Sequence, residues 1–69
     1  MEIISKRLRQ LRAEQQKTQL DVAKAIGIAD AAYRKYELGS RSPGAEKLLL
    51  LADYFNVSAD YLLGRTDKP

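Results

Sequence analysis

The chain has no cysteine, no histidine and no tryptophan among its 69 residues. Without a thiolate or an imidazole, Cys/His zinc sites, iron–sulfur clusters, haem ligation and the Ser-His-Asp and Cys-His triads are excluded. No disulfide can hold the fold, so the redox compartment stays open and a cytoplasmic life is permitted. Long apolar runs are also missing. No stretch free of polar and charged side chains is longer than Leu48 to Ala52, far too short to span a bilayer. The start, Met1-Glu2-Ile3-Ile4-Ser5-Lys6-Arg7, lacks the apolar region of a signal peptide. These absences lead to the expectation of a cytoplasmic protein with no membrane partner, no metal and no small-molecule cofactor. There is no P-loop either, and the carboxylates are spread along the chain, so the chain is not read as an enzyme.

What is present is one small domain. At this size folding buries roughly 60% of the extended surface, enough for a single modest core. Ala and Leu fill 19 positions whereas Val and Ile fill only 6, and apolar residues recur at helical spacing. Both observations argue for an all-α fold. The net charge is +3 and unevenly placed. Residues 1–35 carry 8 basic and 4 acidic side chains, and residues 36–69 carry 4 basic and 5 acidic ones. A basic half points to an anionic partner, nucleic acid first, although a charge of this size is also ordinary for solubility.

The helix signals divide the chain into five. Ile4, Leu8 and Leu11 share one helical face, and the first helix is expected to end near Gln16-Lys17. Thr18 can cap a second helix, with Asp21 in the capping-box position. Val22, Ala23 and Ile26 form its inner face, and Gly27 ends it. A third helix has Tyr33 and Tyr36 facing inward and stops at Gly39. Residues 39–44, Gly-Ser-Arg-Ser-Pro-Gly, read as a loop. Leu48, Leu51, Ala52 and Phe55 give the inner face of a fourth helix, with Asn56 able to take the left-handed position after it. Ser58 caps a short fifth helix, Asp60 favours its dipole, and Gly64 ends it. The domain is expected over 1–64, with 65–69 as a flexible tail.

Only Gly27-Ile28-Ala29 separates the second helix from the third. So short a join forces a steep crossing, the geometry of a helix-turn-helix; an ordinary helical corner needs the same small residues. The strings TQLDVAKAIGIADAAYRKYELGSRSP and LLLLADYFNVSADYLLG resemble the Cro and phage-repressor (Xre-type) helix-turn-helix family. The resemblance rests on Gln19, Val22-Ala23, Gly27-Ile28, Tyr33, Tyr36-Glu37, Gly39, Arg41 and Pro43, and on Asn56-Val57-Ser58 followed by Asp60 to Gly64. It covers Arg7 to Gly64. It implies a compact, lambda-repressor-like five-helix domain that binds double-stranded DNA as a homodimer on a palindromic operator. A bacterial or phage-encoded transcriptional repressor is the implied role. An antitoxin or antirepressor-like protein-binding module is the alternative.

In that family the third helix enters the major groove. Its outward residues here are Ala29, Asp30, Ala31, Arg34 and Lys35. Arg34 can grip guanine O6 and N7 together, Asp30 can accept from cytosine N4, and the two alanines can meet thymine methyls. For Arg34 and Lys35 the alternatives are phosphate contact or plain solvation; for Asp30 the alternative is service to the helix dipole. Phosphate contacts are expected from Thr18 and Gln19 at the start of the second helix and from Ser40, Arg41 and Ser42 in the loop. Gln19 also has the implied role of bridging to the third helix. Arg12 and Glu37 are implied to form a partly buried ion pair. Two positions depart from the family: Ala29 stands where Ser or Thr usually caps the third helix, and Leu50 where Lys is common. Leu50 and Tyr54 share a face, and with Tyr61 and Leu63 they form the candidate dimer surface. Docking of a further domain on that patch is the alternative.

Overall fold

The computed structural model describes residues 2–69; Met1, the first residue of the domain expected over 1–64, lies outside them. Five helices follow in order: α1 (Glu2–Glu14), α2 (Gln19–Ile26), α3 (Asp30–Leu38), α4 (Ala45–Phe55) and α5 (Ala59–Leu63). No strand occurs among the described residues. The architecture is the all-α, five-helix one expected.

All five helices close in the same way. Gln16, Gly27, Gly39, Asn56 and Gly64 each take a left-handed φ just past the last turn. At each, the N–H of the following residue reaches a carbonyl five residues back, as from Lys17 to Arg12 and from Ile28 to Ala23. These bonds satisfy carbonyls that a helix end otherwise leaves without partners. Gln16 accounts for the one misplaced boundary. α1 stops at Glu14 rather than near Gln16-Lys17, because Gln16 leaves the helix at φ 57°. Glutamine is not a usual left-handed residue, so nothing local announces the stop. Gly64 meets a second constraint. A Cβ there would lie 2.7 Å from Ile3 Cγ1, so α5 ends too close to α1 for any side chain.

The helix starts follow their capping chemistry. Thr18 Oγ1 accepts from Asp21 N at 3.0 Å, and Thr18 N donates to Asp21 Oδ2 at 2.9 Å. The bond from the Thr18 backbone, then that from its side chain, lowers the Asp21 carboxyl pKa. Ser58 Oγ accepts from Tyr61 N at 3.0 Å. α3 and α4 begin at Ala29 and Gly44 with no side-chain cap.

One core joins the helices. Leu8, Val22, Tyr33, Leu51, Phe55 and Leu62 are fully buried in it, one or more from every helix. Burying each such side chain contributes about 1.5–3 kcal/mol. Leu48, expected inside, is only half-buried at the margin. Ala23 is fully buried on α2, which packs against α3.

Residues 65–69, expected to hang free, are tied back through α1. Arg7 donates to the carbonyls of Tyr61 and, at 2.6 Å, of Thr66, and pairs with Asp67 at 3.0 Å. Its guanidinium also lies over the Tyr61 ring, 4.1 Å from the centroid. Pro69 O accepts from Ser58 N at 3.2 Å.

Candidate nucleic-acid interface

α3 is an outward-facing helix on a rigid mount. Tyr33, Tyr36 and Glu37 point inward and are buried, while Ala29, Ala31, Arg34 and Lys35 are exposed. The mount centres on Glu37, a carboxylate that is 3% exposed. It accepts from Arg12 Nε at 2.7 Å, Arg12 Nη2 at 3.0 Å, Tyr33 Oη at 2.6 Å and Gln19 Nε2 at 3.2 Å. Burial by itself raises the Glu37 carboxyl pKa, but the donors from Arg12, Tyr33 and Gln19 outweigh it and hold the group below the ordinary carboxylate range. The same contacts raise Arg12, chiefly through its bond to Glu37. Burial, then the bond to Glu37, pushes the Tyr33 hydroxyl far above its usual value. A buried carboxylate is expensive to desolvate, and this one is offset by a bidentate guanidinium and two neutral donors.

The network welds three helices together: Arg12 comes from α1, Gln19 from α2, and Tyr33 and Glu37 from α3. Two further α1 side chains hold the end of α3. Ser5 Oγ donates to Tyr36 O at 2.8 Å, and Arg9 donates to Glu37 O. Reading residue types in isolation misses Ser5, Arg9 and the phenol of Tyr33. The two polar α1 residues carry no local signal, and an inward Tyr reads simply as core. Gln19 does reach α3 from α2, by this bond to Glu37, and is half-buried.

The outward residues are brought together unevenly. Arg34 Nη2 pairs with Asp30 Oδ2 at 2.8 Å, one turn apart on the same face. Ala29 and Ala31 are exposed beside them, and Lys35 lies in the last turn of α3. Thr18 is occupied by its capping box. Ser40 Oγ donates to Lys35 O at 3.4 Å, and Ser40, Arg41 and Ser42 are all exposed in the loop after α3. The proposed dimer residues differ among themselves. Leu50 is 38% exposed, whereas Tyr54, Tyr61 and Leu63 are partly buried against the core. Tyr54 packs edge-on against Phe55, and Tyr61 lies under Arg7. Leu49, not singled out from the sequence, is more exposed than Leu50 at 57%.

Two short helices joined across Gly27–Ala29, the second fixed from behind and bare in front, define a helix-turn-helix domain. The chain belongs to the helix-turn-helix family, whose description, "Helix-turn-helix", matches residues 8–62. It is 48% identical over 63 residues to the uncharacterized HTH-type transcriptional regulator YobD of Bacillus subtilis, an alignment covering 91% of this chain and 56% of that protein. It is 42% identical over 62 residues to the cryptic phage CTXphi transcriptional repressor RstR of Vibrio cholerae, covering 90% of this chain and 55% of that one. The chain thus spans about half the length of these curated relatives. Among solved structures it is similar to the P22 c2 repressor protein in a crystal complex with synthetic operator 9T. The TM-score is 0.82 at 29% identity, covering 86% of this chain and 89% of that one.

Proposed function

We propose that the chain binds double-stranded DNA sequence-specifically and regulates transcription, as a repressor, in the cytoplasm of a bacterium, encoded by the cell or by a phage it carries. The observation that carries this reading is the contrast between the two sides of α3. Its inner side is locked by the four donors on Glu37, and its outer side presents Ala29, Asp30, Ala31, Arg34 and Lys35 with nothing packed over Arg34 or Lys35. A reading helix has to be stiff behind and bare in front, because base contacts tolerate little misplacement.

In this reading α3 enters the major groove and Arg34 takes guanine O6 and N7. The alanines leave room for thymine methyls, and Lys35 meets a base or a phosphate. Thr18, Gln19, Ser40, Arg41 and Ser42 contact phosphates on either side, setting register without reading sequence. Two copies act together, meeting through Leu50, Tyr54, Tyr61 and Leu63, with Leu49 adding to that patch. One domain covers a single half-site, and a genome demands more discrimination than that supplies.

Selection of bound duplexes from a random pool tests the reading. Enrichment of one inverted-repeat motif, with binding that weakens steeply as salt rises, is the expected outcome. A pool that stays random through the selection contradicts it.

A further inference from the structure

We infer that Asp30 is a positioning residue for Arg34: the ion pair at the start of α3 tethers the guanidinium over the reading face and denies it to nearby phosphates, so that Asp30 sets specificity without itself reading a base. This rests on the DNA-binding reading above and gives a specificity role to a carboxylate otherwise left with service to the helix dipole.

Three observations carry it. First, the pair is direct, Arg34 Nη2 to Asp30 Oδ2 at 2.8 Å. Secondly, Asp30 has no other polar side-chain partner among the described residues. It stands at the first position of a helix that has no side-chain cap, and its Oδ1 is buried without a hydrogen-bond partner while Oδ2 pairs with Arg34. Thirdly, Arg34 makes no other ion pair or side-chain hydrogen bond among the described residues. The exposed residues beside it on α3 are Ala31 one turn before, Leu38 one turn after and the like-charged Lys35, none of which has a side-chain acceptor to offer. Arg34 therefore either keeps to Asp30 or swings free on a long, flexible stem.

The chemistry of the tether follows. A guanidinium has five N–H donors in a planar fork. Asp30 Oδ2 lies against Nη2 as an ion pair, so the rest of the fork can donate elsewhere. Guanine O6 and N7 can take those donors while Asp30 stays paired, and the guanidinium is then charge-assisted on both sides. On a duplex with the wrong base, a free Arg34 would turn to a phosphate and recover sequence-independent affinity. The tether prevents this, and the Asp30 charge itself repels the backbone. Asp30 thus weakens binding to wrong sequences more than to the right one.

The test compares operator and random duplexes, using the wild-type selected site as the operator. Asp30→Asn keeps the shape and removes the charge. Random-duplex affinity is expected to rise about 3–10-fold, with a log K against log salt slope steeper by roughly 0.9, because Arg34 then neutralises one more phosphate. Operator affinity is expected to move less than threefold, so the specificity ratio falls. In an Arg34→Ala background, Asp30→Asn is expected to leave the salt slope of random-duplex binding unchanged, because no guanidinium is released. A single mutant that keeps the wild-type ratio overturns the inference, as does a salt slope that steepens equally with and without Arg34. Either result leaves the DNA-binding reading standing if the wild type still prefers its operator. A wild type with no preference overturns both. If Asp30→Asn melts far below the wild type, Asp30→Ser, a residue suited to helix starts, is put through the same comparisons and judged by the same ratio.

Discussion

Glu37→Ala removes the acceptor on which α1, α2 and α3 converge. Deleting one partner of a buried ion pair costs about 3–5 kcal/mol, because the other charge is left uncompensated. Arg12 is 25% exposed, so water can partly resolvate it, and the low end, about 3 kcal/mol, is the better figure. Tyr33 Oη, fully buried on Glu37, loses its acceptor as well and keeps the cost from falling further. A domain this small has a total stability of roughly 3–10 kcal/mol. At roughly 4–8 °C per kcal/mol, the melting temperature should fall by about 12–24 °C. Thermal unfolding followed by circular dichroism measures it. Glu37→Gln, which keeps the volume and an acceptor but loses the charge, should fall about half as far. An Ala variant melting within about 4 °C of the wild type would refute the claim that this network fixes α3. The network also has an acid signature. The folded Glu37 carboxyl lies below its ordinary value, so its contribution is complete above the unfolded pKa of about 4.3 and is lost as pH falls through the folded value. The wild type should therefore lose stability on acidification below about pH 4.3, and Glu37→Gln should lose visibly less over the same interval.

Three further outcomes are expected. Gly64→Ala forces a side chain into a left-handed φ of 80° and to within 2.7 Å of Ile3. It should cost more than the roughly 1–2 kcal/mol of the backbone strain alone, and a denaturant midpoint equal to that of the wild type would show that α1 and α5 are not so closely packed. Arg41→Ala should weaken binding to all duplexes alike and flatten the salt slope by roughly 0.9; an unchanged slope takes Arg41 out of the interface. Leu50→Lys places like charges across the proposed two-fold, and sedimentation should find a folded monomer with operator affinity reduced more than tenfold. A Leu50→Lys dimer of wild-type affinity would put the contact elsewhere.

What could be read from the sequence was whatever the chain declares locally. Thr18 with Asp21, Gly27, Gly39, Asn56, Ser58 and Gly64 each act within a few residues, and the boundaries they set are those observed. The end of α1 was not legible, because Gln16 adopts a backbone shape for which its side chain has no preference. The pairing of Arg12 with Glu37 came only through resemblance; nothing in two residues 25 apart announces contact. Tyr33 joined that network unseen, since its ring satisfies the hydrophobic pattern and hides the hydroxyl. Arg7 clamping Tyr61 and the tail is likewise a product of folding, 54 residues from its partner. Asp30 with Arg34 is different. Opposite charges four apart on a helix are a recognisable pair, yet the two residues read naturally as separate base contacts until the 2.8 Å ion pair joins them.

The central claim is that α3 reads the major groove through Arg34, and methylation interference on the selected duplex tests it most directly. Guanine N7 lies in the major groove, so a methyl group there blocks a major-groove contact. Interference is expected at a guanine in each of two half-sites centred about 10–10.5 base pairs apart, and loss of that interference, together with loss of sequence preference, in Arg34→Ala. Interference confined to adenine N3 in the minor groove, or an identical guanine pattern for the wild type and Arg34→Ala, would contradict it.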